Sequence, residues 1–254
     1  MRAIQHLSRA VVTALIAGAA IAACGDEDGD AGNGRVSTTS HEPGRTVPGS
    51  SGAGFSNPTR IDNPYAPLTK FRRCEYAGKE GGTTSRGIRT RLSRTKTFRV
   101  DDKAVEAAVF NDRAYENGEL VESTFDYFAQ DDAGTVFYLG EDVTNYENGK
   151  VADHDGTWLL GRDTDKLGVL MPADPKVGDR WRFEDVPGIT VESNTLLKRH
   201  AAVELRGTTY KDVLRVEERL VIEKQIEGKL FARGVGIVSE IDPEGTNDLV
   251  RCSA

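Results

Sequence analysis

Carboxylates are the chemistry-bearing side chains this sequence supplies most freely: 40 Asp and Glu, against 33 Lys and Arg and four His in 254 residues. An acid/base hydrolase needs two of them at the right separation, one protonated to give a proton and one ionised to accept it or to attack. Asp126, Glu141 and Asp142 are the candidate set, because the hairpin register derived below puts Asp126 opposite Gly140. Charged side chains at a sheet edge explain the same residues without catalysis. Histidine chemistry has less support: His6 falls in the N-terminal apolar leader and His41 in the Gly/Ser/Thr/Pro-rich stretch after it, and His154 and His200 have no Cys or second His at ligand spacing, so no zinc site or nucleophile–His pair is expected. Gly-x-Ser-x-Gly elbows, phosphate-cradling glycine loops and dinucleotide fingerprints are absent, and no catalytic residue, metal or cofactor is assigned. Tyr127, Tyr138, Trp158 and Trp181 are the candidate ligand-binding set, able to line a concave apolar pocket. Cross-strand aromatic pairing in a sheet core is their competing role.

The three cysteines divide by context. Residues 1–23 join a basic start, with Arg2 and Arg9, to an apolar run from Val11 to Ala23 that is too short to span a bilayer, the pattern of an export signal. Ile21-Ala22-Ala23-Cys24 has the form of a lipobox, so Cys24 is expected to carry diacylglycerol and hold the mature chain on a bacterial membrane, facing away from the cytoplasm. The plainer alternative is a secretory cleavage site with a stray cysteine beside it. Residues 24–60 are acidic, then rich in Gly, Ser, Thr and Pro; they cannot bury enough apolar surface to offset their ordering entropy and read as a disordered tether, reaching roughly 30–36 Å as a flexible coil. The acidic run Asp26-Glu27-Asp28 lacks the glutamate and helices of a calcium loop. Removing the leader takes away two Arg and no acid, leaving 31 Lys and Arg against 40 Asp and Glu, which argues against a nucleic-acid partner. Cys74 and Cys252 remain, near opposite ends of a single domain over 61–254; in an oxidising compartment they are expected to pair, and neither has the cationic setting of a reactive thiol.

The elements that must position these groups read as strands. Tyr-Glu-Asn-Gly occurs twice, at 115–118 and 146–149, and Asn-Gly between alternating strands marks a type I′ hairpin. With Asp131-Asp132-Ala133-Gly134-Thr135 as a loop between them, Phe110 faces Phe125, Tyr127 faces Leu139, Ala129 faces Phe137, Leu139 faces Trp158 and Phe137 faces Leu160, so one face collects the aromatics while Phe128 and Tyr138 point away. Further strands are expected over 86–100, 104–115, 180–184, 200–205, 213–223 and 229–240, with turns at Gly81-Gly82, Glu227-Gly228 and Pro243-Glu244-Gly245. The fold class is all-β: a single antiparallel, meander-rich, strongly curved sheet forming a partly closed barrel, with a β-sandwich as the alternative.

Asn63-Pro64-Tyr65-Ala66-Pro67-Leu68, Phe125 to Asp131, Val136 to Asp142, Met171 to Asp179 and Gly234-Val235-Gly236-Ile237-Val238 together resemble a family of uncharacterised secreted and lipoprotein-type bacterial proteins over residues 61–240. The resemblance implies export and fold but no activity, and Phe128 and Phe137 stand where members often have tryptophan. Val177-Gly178-Asp179-Arg180-Trp181 and the Gly-Val-Gly strand are more faintly similar to curved-sheet lipoproteins of the lipoprotein-carrier type, whose half-barrels hold lipid. The functional expectation is a membrane-anchored, non-catalytic module binding an apolar ligand, an envelope component or an envelope protein; the alternative is a carboxylate-dependent envelope hydrolase.

Overall fold

A computed structural model of the protein describes residues 45–47, 52 and 54–254. The expected leader, Cys24 and most of the expected tether lie outside the described residues. The described chain forms fourteen strands: β1 (Arg73–Glu80), β2 (Thr83–Val100), β3 (Lys103–Glu116), β4 (Glu119–Gln130), β5 (Val136–Glu147), β6 (Lys150–Asp153), β7 (Trp158–Leu159), β8 (Gly168–Met171), β9 (Arg180–Val186), β10 (Thr190–Leu205), β11 (Thr208–Leu220), β12 (Gln225–Ala232), β13 (Gly236–Asp242) and β14 (Gly245–Ser253). All belong to one antiparallel sheet in the order β6-β5-β4-β3-β2-β1-β14-β13-β12-β11-β10-β9, with β7 and β8 also on β5. Chain neighbours are sheet neighbours almost throughout, as short turns require.

The first and last strands meet mid-sheet. Cys74 lies directly opposite Cys252, and a disulfide joins them across 178 residues of sequence. A loop that long is worth on the order of 5 kcal/mol in the chain-entropy account.

Both Asn-Gly turns form as expected, with Asn117, Gly118, Asn148 and Gly149 all at positive φ. Beyond each turn the expected register fails, because bulges intervene between Ala114 and Tyr115, between Asp126 and Phe128, and between Asn145 and Tyr146. Phe110 therefore faces Asp126 rather than Phe125, Asp126 faces Glu141 rather than Gly140, and Trp158 faces Glu141 rather than Leu139. Ala129 does face Phe137. Phe128 faces Tyr138, as the expected register has it, but both are buried instead of pointing away, because here both faces of β4 and β5 are covered, Phe128 and Tyr138 on one and Ala129 and Phe137 on the other. The 229–240 strand is in fact two, β12 and β13, broken at Gly234. The turn expected at Glu227-Gly228 falls inside β12; the hairpin turns at 221–224, where Lys224 takes the positive φ.

The packed body begins ahead of Ile61. Phe55 packs on Phe137 with ring centroids 5.8 Å apart, and Arg45 and Val47 hydrogen-bond both sides of Arg180 on the outer edge of β9. The sheet bends so far that β1 to β5, β8 to β10, β12 and β13 all contribute to one interior cavity. Among the described residues no ladder joins β8 to β9. That seam is crossed by Gly168, where a Cβ would sit 2.1 Å from the Phe183 carbonyl oxygen, and by Trp158 Nε1, which donates to Glu184 at 2.9 Å.

An acid-lined interior as candidate functional site

Three carboxyl pairs stand directly opposite one another on neighbouring strands: Asp126 and Glu141 on β4 and β5, Glu184 and Glu192 on β9 and β10, and Glu218 and Glu227 on β11 and β12. Like charges in that position repel, and burial makes each ionised carboxylate costly unless it is paired. Cations answer only in part. Lys229 pairs with Glu218 at 2.5 Å, both side chains almost wholly buried, and Arg89 grips Asp112 through Nε and Nη2. The lining also holds Arg113, which is exposed.

Proton content follows from the hydrogen bonds. Tyr138 Oη lies 2.6 Å from Asp126 Oδ1 and 3.0 Å from Glu141 Oε2. A phenol has one hydrogen, so it can donate to only one carboxylate; the second contact becomes a hydrogen bond only if the other carboxyl is protonated and donates to it. Asp126 Oδ2 is buried without a hydrogen-bond partner, as expected of a group that does not carry a full charge. Burial, then repulsion from Asp112, pushes the Asp126 carboxyl up to about 8 despite Arg89 and the Tyr138 hydrogen bond. Glu141 and Glu192 go well above the usual carboxylate range, first through burial and then through Glu184, with Asp126 adding to the push on Glu141 and Glu218 to that on Glu192. Glu227 is pushed up to about 8 by burial and Glu218. Burial raises Glu184 even though Thr190 Oγ1 and Trp158 Nε1 donate to it.

Asp126, Glu141, Glu184, Glu192 and Lys229 line one cavity, which Glu218 meets only through Lys229 and whose lining does not include Glu227. Its volume is about 90 Å³, room for several waters but well below the roughly 300–1,000 Å³ of sites for drug-sized ligands. One wall is aromatic: Tyr138 is stacked between Phe128 at 4.6 Å and Phe183 at 5.2 Å, with Trp158 edge-on at 5.3 Å. Lys229 Nζ sits 5.3 Å from the Phe183 centroid, a cation–π distance. Among the described residues no group of His, Cys, Asp or Glu is arranged to hold a metal ion.

Of the four aromatics singled out from sequence, only Tyr138 lines the cavity. Trp158 is fully buried and reaches the site through its bond to Glu184. Trp181 is buried next to Asn194; with the Asn194 amide oriented to satisfy its neighbours, it accepts from Trp181 Nε1 and donates to Glu218, both at 3.2 Å. Tyr127 takes the opposite face, where its ring packs on Phe98 and its hydroxyl bonds Asp142. Asp142 goes with it and pairs with Lys96, so of the acid set only Asp126 and Glu141 come together. Glu184, Glu192, Glu218, Glu227 and Lys229 were missed by sequence reasoning. One had a signal: Glu218 continues the period-2 run of Leu214, Val216 and Leu220, all buried, and so occupies an apolar position.

No family model matches the chain, and neither a curated protein nor a solved structure does.

Proposed function

We propose that the chain is a non-catalytic, extracytoplasmic binding module, held on a bacterial membrane through acylated Cys24, whose curled sheet takes a small ammonium-bearing solute, or the ammonium end of an envelope component, into its acid-lined interior. In this reading the sheet is a partly closed barrel with its seam between β8 and β9. The observation that supports it is the interior imbalance: two opposed carboxyl pairs, Asp126 with Glu141 and Glu184 with Glu192, line the cavity with Lys229 and the Asp112-bound Arg89, beside an aromatic stack, and the buried Asp126 Oδ2 is unpartnered. An ammonium group supplies N–H donors to such oxygens, positive charge to replace the retained protons, and a partner for aromatic faces. The cavity volume favours this over an acyl chain or another large apolar ligand.

The hydroxyl that Asp126 and Glu141 share favours a second reading, a carboxylate hydrolase, since one protonated and one ionised carboxyl is the acid/base arrangement. It requires the sheet to open, because about 90 Å³ does not seat a scissile bond with both of its substituents.

Calorimetry with ethanolamine and putrescine, each against a neutral isostere, separates the readings. Binding of the amine alone is expected, stronger at pH 8 than at pH 5 and accompanied by proton release, and abolished by Asp126→Asn with Glu141→Gln. Absence of amine binding at either pH, or binding that the double variant leaves unchanged, overturns the ligand assignment.

A further inference from the structure

A second charged feature lies outside the sheet, where β2 departs from regular pairing. Arg91 faces Phe110 and Thr95 faces Ala108, so Leu92, Ser93 and Arg94 stand against Val109 alone. A bulge of this kind re-aims side chains. Leu92 turns toward the core, while Arg91, Ser93 and Arg94 are exposed together instead of alternating between faces. Two adjoining hollows flank the bulge, about 510 Å³ and 340 Å³ in volume, and Arg72, Arg91 and Arg94 line both; Lys70 lines the larger.

These four cations, two on β2 and two just ahead of β1, differ from the neighbouring cations of β2. Arg89 and Lys96 are taken by Asp112 and Asp142, whereas none of Lys70, Arg72, Arg91 and Arg94 pairs with a carboxylate among the described residues. Their existing contacts leave most of their N–H groups free: Arg91 Nη1 donates to the Thr69 carbonyl, Lys70 Nζ to the Gly234 carbonyl, and the Arg94 guanidinium lies 4.6 Å over the Phe125 ring. Glu106, on the neighbouring strand, is engaged by the Thr95 and Thr97 hydroxyls, and Ala254 also lines the larger hollow. Four cations in one groove, none in a carboxylate ion pair among the described residues, are a departure in a chain of net charge −7. Two or three guanidinium forks and an ammonium exceed what one carboxylate neutralises and match the several oxygens of a phosphate.

We propose that this groove is a binding site for a phosphate-bearing anion, presented by either a lipid headgroup or a soluble phosphate ester. It is independent of the interior site and of the ligand proposed there. The test uses the full chain carrying Cys24→Ser, so that an acyl anchor does not mask the result. Calorimetry with glycerol phosphate and co-sedimentation with phosphatidylcholine vesicles, with and without phosphatidylglycerol, are compared for this chain and for the same chain bearing Arg91→Ser and Arg94→Ser. Binding of both probes, each weakened at least about tenfold by the pair of substitutions and by salt, assigns the groove to anionic headgroups. Binding of glycerol phosphate alone, with the same sensitivity, assigns it to a soluble ester. Circular dichroism checks folding, and Arg91→Lys with Arg94→Lys, which keeps charge and loses the forks, is expected to give a smaller loss. Lys150→Ser, at an exposed hairpin tip, should change nothing. Binding of neither probe, or binding that neither arginine pair weakens more than Lys150→Ser does, overturns the proposal.

Discussion

Asp126→Asn is the substitution whose effect the interior predicts most sharply. The carboxyl is almost fully buried and pushed from 3.8 up to about 8 in the fold. A group with its folded pKa raised binds its proton more tightly when folded. The unfolded chain ionises first, so stability is highest below the unfolded value, falls as pH rises from about 4 to about 8, and is flat above that. Taken whole, that displacement corresponds to about 6 kcal/mol. Asp126 and Glu141 both contact the Tyr138 hydroxyl and their titrations are linked, so about half is assigned to either carboxyl alone. Asparagine keeps an oxygen for the Tyr138 hydroxyl and has no charge to suppress, while its amide N–H groups enter a site with room for water. Asp126→Asn is therefore expected to be about 3 kcal/mol more stable than the wild type at pH 8.5 and within about 1 kcal/mol of it at pH 4.5. Urea unfolding followed by fluorescence of the buried Trp158 and Trp181 measures this across the pH range. A variant less stable than the wild type by a similar margin at both pH values would refute the reasoning, since it would mean that Asp126 is ionised and paired in the fold.

Lys229→Met should cost about 3–5 kcal/mol, because it strands the buried Glu218 carboxylate, and adding Glu218→Met should restore most of the loss; denaturant melts of the single and double variants check this. Cys74→Ser with Cys252→Ser should lower stability by about 2–5 kcal/mol in the same assay, matched by the reduced wild type. Gly168→Ala should cost about 3 kcal/mol, because its Cβ meets a backbone carbonyl of β9 rather than a side chain that can move; hydrogen exchange should report the loss first in β8 and β9. At the acid end, hydrogen bonds from Arg251, and also from Arg73 and Arg86, hold Glu75 down at about 2. A depressed carboxyl contributes stability above its unfolded pKa and loses it as pH falls through the folded one. Glu75→Gln should therefore flatten the stability profile between about pH 4.5 and 2, as acid titration of the melting temperature would show.

What sequence reveals here depends on how local the cause is. Asn-Gly turns announce themselves because two adjacent residues must take positive φ, and both did so at the expected positions. The mid-sheet disulfide follows from having two cysteines left once Cys24 is set aside, and the all-β antiparallel class follows from dense alternation. Bulges are different. Whether Val121 stands as an extra residue, or Leu139 and Gly140 stand together against Tyr127, is decided by what each face of the sheet meets across the molecule, and both faces of β4 and β5 are buried near Tyr138. Alternation cannot choose a core face when both are covered, so Phe128 and Tyr138 were read as outward. The same three shifts explain the site: without the one at Tyr127, Asp126 would face Gly140 and not Glu141. Glu184 and Glu192, from β9 and β10, and Lys229, from β12, reach the same cavity as Asp126 and Glu141 only because the whole sheet curls, a long-range fact that no window of residues contains. Glu218 alone was legible, as a charge standing in an apolar alternation.

Native mass spectrometry of the protein extracted from its own host membrane tests the account most directly. The expected mass is that of a diacylglyceryl-Cys24 chain carrying a small amine, released when the pH is lowered so that the interior carboxyls take up protons. A bound acyl chain or other large apolar molecule, or a protein that remains empty when presented with amines at pH 8, would contradict it.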